Sequence, residues 1–330
     1  MAAKKKTSKT PAVRYLRYNL TNSESPGTET SHYIDLARDL SAINRRLYRQ
    51  GRDYHVKRVS IVSSNTIAAT GWIDYDGLPG TDNITQNAGR ITVSTLPDSW
   101  TVRNAWKRGF DAWNRMNKRV LGGPNDQRSI KPKYHDFKIR GIGSYAPSPT
   151  YAVPVDNGGN ALVLGEWTYS ELVSPDGTTG ADNMLMHMLG SHIGGAGVRT
   201  SISLVQSYAN SRATVDVNEP NMASVDSDDP IMNLFDDGTV VDEIVDNLKN
   251  HGEDMPYDNI DYPGEGSNMP QPLVVHQTTL GADGRSSVGG FNAICGLLEF
   301  EITSPLPGDV YSVLVELAPG NYRGIAADVI

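Results

Sequence analysis

The stretch Asp98-Ser-Trp-Thr-Val-Arg-Asn-Ala-Trp106-Lys-Arg-Gly-Phe110-Asp-Ala-Trp113-Asn-Arg-Met116-Asn-Lys-Arg-Val120-Leu-Gly-Gly123 decides how the rest of the chain is read. Ala105, Trp106, Phe110, Ala112, Trp113, Met116 and Val120 fall on one side of a helical period. Arg103, Lys107, Arg108, Arg115, Lys118 and Arg119 fall on the other. Asp98 or Ser99 can accept from the first free amides, and Gly122-Gly123-Pro124 stops the far end. Burying three aromatic rings contributes about 10 kcal/mol as an upper bound. One face therefore docks on apolar surface and the other presents cations. Gly89-Arg-Ile-Thr-Val-Ser-Thr-Leu96 before it and Tyr134-His-Asp-Phe-Lys-Ile139 after it have strand texture. The pattern predicts a long helix inserted between two strands of a mainly β domain.

Working outward, residues 1–30 read as a basic arm without enough apolar surface for a core. Lys4, Lys5, Lys6, Lys9, Arg14 and Arg17 are cations for phosphates, and Tyr15 and Tyr18 are interleaved rings able to stack on bases. Tyr33–Ala37 is extended. A helix then carries Leu40, Ile43 and Leu47 inward and Arg38, Arg45, Arg46 and Arg49 outward, with Gly51 ending it. His55–Val62, Thr66–Tyr75, Ala161–Val173, Val198–Tyr208, Pro272–Thr279, Phe291–Ile302 and Asp309–Leu317 read as strands, and Thr239–Asn250 as a short helix. Eight or more strands with long connections predict a mainly β fold: a single jelly-roll antiparallel β-sandwich with helices and long loops inserted between strands. Residues 31–330 form its shell domain, with 141–304 contributing long acidic surface loops or a small projection.

Charge is polarised along the chain. Residues 1–140 hold 25 of the 30 Lys and Arg against 12 acids, and residues 141–330 hold 5 against 26, which returns the net −8. Asp216 to Glu265 carries 15 acids, with Lys249 its one base. One surface facing a polyanion and another facing solvent fits this split. Cys295 is the one cysteine, so no intrachain disulfide can form. No run of eighteen apolar residues predicts a membrane helix, and the N-terminus lacks a secretory apolar segment.

Catalytic and metal signatures are thin. His187 and His192 lack the four-residue spacing and intervening Glu of a zinc protease. Asp226, Asp228 and Asp229 are weak calcium candidates without the spacing of a calcium-binding helix–loop–helix. No nucleophile elbow, phosphate loop or dinucleotide fingerprint occurs, so neither a catalytic residue nor a cofactor is expected. The phosphate-contact candidates are Lys4, Lys5, Lys6, Lys9, Arg14, Arg17, Arg38, Arg45, Arg46, Arg49, Arg103, Lys107, Arg115 and Lys118. They offer backbone neutralisation without base readout, the character of non-specific genome binding.

The basic arm, Tyr33-Ile-Asp-Leu36 with its Arg-rich helix, Thr95-Leu-Pro-Asp-Ser-Trp100 leading into Trp106 and Trp113, and Lys131-Pro-Lys-Tyr-His-Asp-Phe137 together resemble capsid proteins of small circular single-stranded DNA (CRESS-DNA-type) viruses. The likeness is strongest to marine and environmental members. Val313-Leu-Val-Glu-Leu-Ala-Pro-Gly-Asn-Tyr-Arg-Gly-Ile-Ala-Ala327 shares their texture, so residues 31–140 and 309–330, about two-fifths of the chain, carry it. The resemblance implies a jelly roll that self-assembles into an icosahedral shell around a single-stranded DNA genome. It also implies residence in the virion and assembly inside a host cell, with the nucleus a candidate compartment. Such capsids often carry a long Arg-rich arm, whereas this arm is short and lysine-based, which moves the expectation towards Arg38–Arg58 and the long helix. Two other classes compete. A carbohydrate-binding or carbohydrate-active β-sandwich is suggested by Trp72, Trp167 and the many acids, and a non-viral nucleic-acid-binding protein by the basic half.

Overall fold

A computed structural model of the protein describes residues 11–63, 89–121, 136–142, 151–174, 182–195, 198–213, 272–281 and 284–330. In chain order the elements are β1 (Tyr15–Thr21), β2 (Glu29–Asp35), α1 (Leu36–Asn44), β3 (Arg52–Ser63), β4 (Arg90–Thr95) and α2 (Trp100–Leu121). Next come β5 (Glu171–Ser174), β6 (Asp182–His187), β7 (Ile193–Gly195), β8 (Val198–Ser203) and α3 (Leu204–Ala213). The chain closes with β9 (Leu273–Thr279), β10 (Arg285–Val288), β11 (Phe291–Ala293), β12 (Leu297–Thr303), β13 (Val310–Leu317) and the short β14 (Pro319–Gly320), β15 (Gly324–Ile325) and β16 (Ala327–Val329).

The protein is mainly β. One sheet runs β1-β13-β3-β10, with β11 and β16 also paired to β3, and a second runs β2-β12-β4-β9. Every ladder in both is antiparallel. The chain crosses between the sheets at β1–β2, β2–β3, β3–β4, β9–β10, β11–β12 and β12–β13. Alternation builds the core between them. Leu16, Tyr18 and Leu20 of β1, Val59 and Ile61 of β3, and Tyr311, Val313 and Val315 of β13 meet Ile34, Ile91, Val93, Leu298, Phe300 and Ile302 of the facing sheet. Opposite Glu316 and Leu317, β3 holds one extra residue, Lys57, so Val56 and Val59 both point inward across the bulge.

Residues 291–303 do not form one continuous strand. β11 pairs with β3 in the first sheet and β12 with β2 and β4 in the second. Between them Ile294–Gly296 make a tight corner with Cys295 at φ 57° and Gly296 at φ 74°. A buried turn in this region redirects an apolar run that period alone reads as a single strand.

Residues 96–272 leave β4 and return at β9, its neighbour in the second sheet. Within this insertion β5, β6, β8 and β7 form a separate four-stranded sheet in that order, with β6 and β8 parallel. α2 packs beside it over a second core of Val102, Ala105, Trp106, Trp113, Phe137, Met186 and Leu204. Phe137 is the hub: its ring lies 5.5 Å from Trp106 and 5.7 Å from both Phe110 and Trp113. At Gly109 an added Cβ would come 2.7 Å from Leu204, so glycine sets the closeness of α2 to the start of α3.

Several expectations change. The arm ends before Tyr15 rather than at Thr30, because Leu16, Tyr18 and Leu20 alternate into the core under β13. α1 stops at Arg45 in the left-handed conformation, its amide bonded to Ser41 O, instead of running to Gly51, and Leu47 lies outside the stripe. Gly51 sits flat against Trp106, where a Cβ would clash. Phe137–Ile139 is irregular rather than a strand, since side chains take over its amides. Of Ala161–Val173 only Glu171–Val173 is strand, within β5, and Val198–Tyr208 turns from β8 into α3 at Leu204. The 141–304 boundary also moves, because β9, β10 and β12 inside it belong to the sandwich. Thr66–Tyr75, with Trp72, and Thr239–Asn250 lie outside the described residues.

Candidate nucleic-acid interface

The first basic group is organised by the root of the arm. Val13 N–H donates to Asn44 Oδ1 at 2.8 Å and Asn44 Nδ2 donates to Val13 O at 3.0 Å. Gly324 faces Ala12, leaving 2.7 Å for an added Cβ. Chain entry, the end of α1 and the C-terminal turn thus meet at one place. The same turn is tied to the α1–β3 connection: Tyr48 OH donates to Arg323 O at 3.0 Å, Arg49 N–H to Tyr322 OH at 3.2 Å, and Arg323 Nη1 to Leu47 O. Arg45, Arg46, Arg49 and Arg323 are all exposed around this junction. Arg49 has one acid near it, Asp136 at 3.5 Å, and Arg52 lies over the Tyr322 ring at 3.7 Å. Left-handed backbone at Arg45 (φ 52°) and Arg323 (φ 50°) turns consecutive residues outward. Arg323 is the member that sequence reading missed. The signal was the turn Asn321-Tyr-Arg-Gly324, in a half of the chain with 5 bases.

The second group is the outer face of α2. Lys107, Arg108, Arg115 and Lys118 are exposed there. Ser99 Oγ accepts from Val102 N–H at 3.3 Å and starts the helix. Arg115 holds Asp111 at 2.7 Å one turn back. Lys107, Arg108 and Lys118 have no ion pair among the described residues.

Other candidates serve the fold. Arg38 is 8% exposed: Nε binds Asp39 at 2.8 Å, Nη2 donates to Ala152 O at 2.6 Å, and the guanidinium lies 5.2 Å from the Tyr151 ring centre. Asp35 caps α1 by accepting from Arg38 N–H at 3.1 Å, and Gln50 Nε2 donates to its other oxygen at 2.7 Å. Burial raises the Asp35 carboxyl to about 7 against the pull of Arg38, and Asp39 to about 6. This closed network gives Arg38 no phosphate to meet. Arg103 is likewise engaged, with Asp98 at 2.6 Å and Asp53 at 2.7 Å, and the Asp98 hydrogen bond leads in holding its guanidinium above the usual range. Arg14 donates to Leu317 O at 3.5 Å and Arg17 to Ser312 Oγ at 3.2 Å, both half-buried on the β1–β13 ladder. Lys4, Lys5, Lys6 and Lys9 lie outside the described residues, as do Asp226, Asp228 and Asp229.

His187 and His192 are tied into the fold. Both His187 ring nitrogens are bonded, Nδ1 to Ser201 Oγ at 2.8 Å and Nε2 to Ser191 O at 3.1 Å, and His192 Nδ1 accepts from Ser203 N–H at 3.0 Å. Burial lowers both to about 4, so they are neutral. Among the described residues no three His, Cys, Asp or Glu are grouped to hold a metal, and no helix is long and apolar enough to cross a membrane. Trp167 packs against the sandwich core with Lys138 Nζ 4.4 Å from its ring centre, a face already covered by a cation rather than open to a sugar. Comparison with known proteins finds no family model, no curated protein and no solved structure that matches the chain.

Proposed function

We propose that this chain is a viral capsid protein that assembles, without catalysis, into an icosahedral shell around a nucleic-acid genome. The strand order carries the reading. β1-β13-β3-β10 against β2-β12-β4-β9 is the order that an eight-stranded jelly roll would give, which supports this reading because capsid subunits use that architecture. Lectin domains and cupins share that architecture, so the site must separate them. The arm root beside Arg45, Arg46, Arg49 and Arg323 favours a polyanion partner, and Trp167 argues against a sugar platform. In this reading complementary edges bury apolar area between copies, closed symmetry limits growth, and the arginines with the lysine arm offset genome charge.

Electron microscopy of purified protein, with absorbance at 260 and 280 nm on the same fraction, tests the proposal. Uniform closed particles with excess 260 nm absorbance are the expected result. A monomer or dimer across salt and pH sinks the shell. A truncation that probes the arm must stop before Pro11, because a cut reaching Tyr18 removes half of β1 and measures folding instead.

A further inference from the structure

The second sheet ends in an open strand. β9 pairs with β4 along one side, and among the described residues no strand lies along its other side. Other sheet edges are covered or short. Ala152 N–H donates to Tyr33 O on β2 and Val155 N–H to Arg17 O on β1, both at 2.7 Å, and β10 spans only Arg285–Val288. The ladder fixes which groups of β9 point outward. Leu280 N–H donates to Gly89 O at 2.9 Å, so these two form a hydrogen-bonded pair one step beyond Thr279 and Arg90. Antiparallel pairs alternate, which turns the backbone groups of Gln277 and Thr279 away from β4. Both residues are exposed, and neither amide has a partner among the described residues. The bulge at Val275, between the partners of Val93 and Ser94, leaves His276–Thr279 regular.

Little in the strand guards this edge. Leu273-Val-Val-His-Gln-Thr-Thr279 contains no Lys, Arg, Asp, Glu or Pro, the residues that usually blunt an edge strand. Leu273 and Val274 are 45% and 52% exposed. We propose that β9 is the docking edge for β9 of a second copy of this chain, the two strands antiparallel across a two-fold axis at Gln277. A two-fold contact needs one surface that complements itself. Here the outward amides and carbonyls of each copy meet those of the other, no like charges stand opposite, and Leu273 and Val274 leave water. With β1 and β2 already covered, the long open edge that a copy offers is β9 itself. Two four-stranded sheets then continue into one across the axis. The inference rests on the shell reading for the presence of neighbours and adds which edge joins two of them.

Residue-resolved hydrogen exchange on the full chain, from dilute subunits to associated protein, reads the edge directly. The Gln277 and Thr279 amides should exchange freely in dilute subunits and become protected on association, whereas Thr278, bonded to β4, stays protected in both. Gln277→Pro removes one outward donor per copy. Losing both bonds should raise the dissociation constant in sedimentation about 5- to 150-fold. Gln277→Lys and Gln277→Glu should each weaken association by up to about 5-fold, and an equimolar mixture of the two should recover it. Thermal melts check folding; should the proline variant melt early, the charge pair carries the test, because a folding defect would not be cured by mixing. Closed shells with freely exchanging Gln277 and Thr279, or no recovery in the mixture, overturn the edge contact and leave the shell reading intact. Protected amides in a species that stops at the dimer uphold the edge and sink the shell. A monomer at every concentration overturns both.

Discussion

The sandwich and the insertion between β4 and β9 are held together by different physics. In the sandwich, backbone ladders satisfy the amides and alternation fills the core, so Leu16, Tyr18, Val313 and Phe300 are buried simply by being every second residue. In the insertion, the β5-β6-β8-β7 ladders are supplemented by side chains that bind the irregular segment Phe137–Ile139. Gln50 accepts from Ile139 N–H at 2.7 Å while its amide reaches Asp35, and Ser170 Oγ accepts from Lys138 N–H at 2.9 Å while donating to Asp136 O at 3.0 Å. A few polar atoms therefore hold the segment of Phe137, the aromatic hub on which α2 packs. A region fastened this way is expected to open as a unit below the energy that opens the sandwich.

The largest effect should come from the hub. Phe137→Ala removes a buried ring touching three others and should cost about 3–5 kcal/mol. Hydrogen exchange should lose protection over residues 100–118 while β3 and β13 amides keep theirs. Joint loss in all three would make the two regions one cooperative unit. Gln50→Ala is next: it leaves the Ile139 amide and an Asp35 oxygen without partners, at about 1–3 kcal/mol. The same exchange pattern should appear, more weakly.

The acids of the joint give a third test. Asp35 rises to about 7 and Asp39 to about 6 from an ordinary 3.8, chiefly through burial. Folded values above unfolded ones mean that the acid forms favour folding. This contribution is full below pH 4 and is lost as pH rises through 6 and 7. Protection of α2 should therefore decline from pH 5 to pH 8, by on the order of 1 kcal/mol. Glu299, raised by burial to about 7 on the second sheet, gives the sandwich a slope of the same sign, which Glu299→Gln should flatten without altering the slope at α2. The smallest effect belongs to Arg115→Ala. It deletes an exposed pair with Asp111 and should change thermal stability by less than about 0.5 kcal/mol.

The same contrast explains what the sequence made legible. β3, outside its bulge, and β13 follow period-two alternation, and α2 follows a helical one with a cap at Ser99, so local pattern and tertiary role agree. β1 was hidden because Arg14, Arg17, Tyr15 and Tyr18 draw the eye to charge, although every second residue is apolar. The break at Leu204 was hidden because Ile202-Ser-Leu204 carries the alternation of β8 up to the junction, although Leu204, Val205 and Tyr208 then fall at helical spacing. At the interface, cation type was readable but availability was not. Arg38 and Arg103 differ from Arg45 and Lys107 in what surrounds them: Asp39, Ala152 O and the Tyr151 ring around Arg38, Asp53 and Asp98 around Arg103.

The corner at Cys295 has a practical use. It carries the chain's one thiol, fully buried between β11 and β12, and burial holds that thiol well above its ordinary value. A thiol-reactive probe can modify it only when that corner, which packs with Ile294 and Leu297 in the second core beside α2, comes apart. The labelling rate is thus an internal clock for opening of that second core, free of ambiguity about which residue reacted. Run on free subunits and on assembled particles, that clock measures how much longer a neighbour keeps each subunit shut.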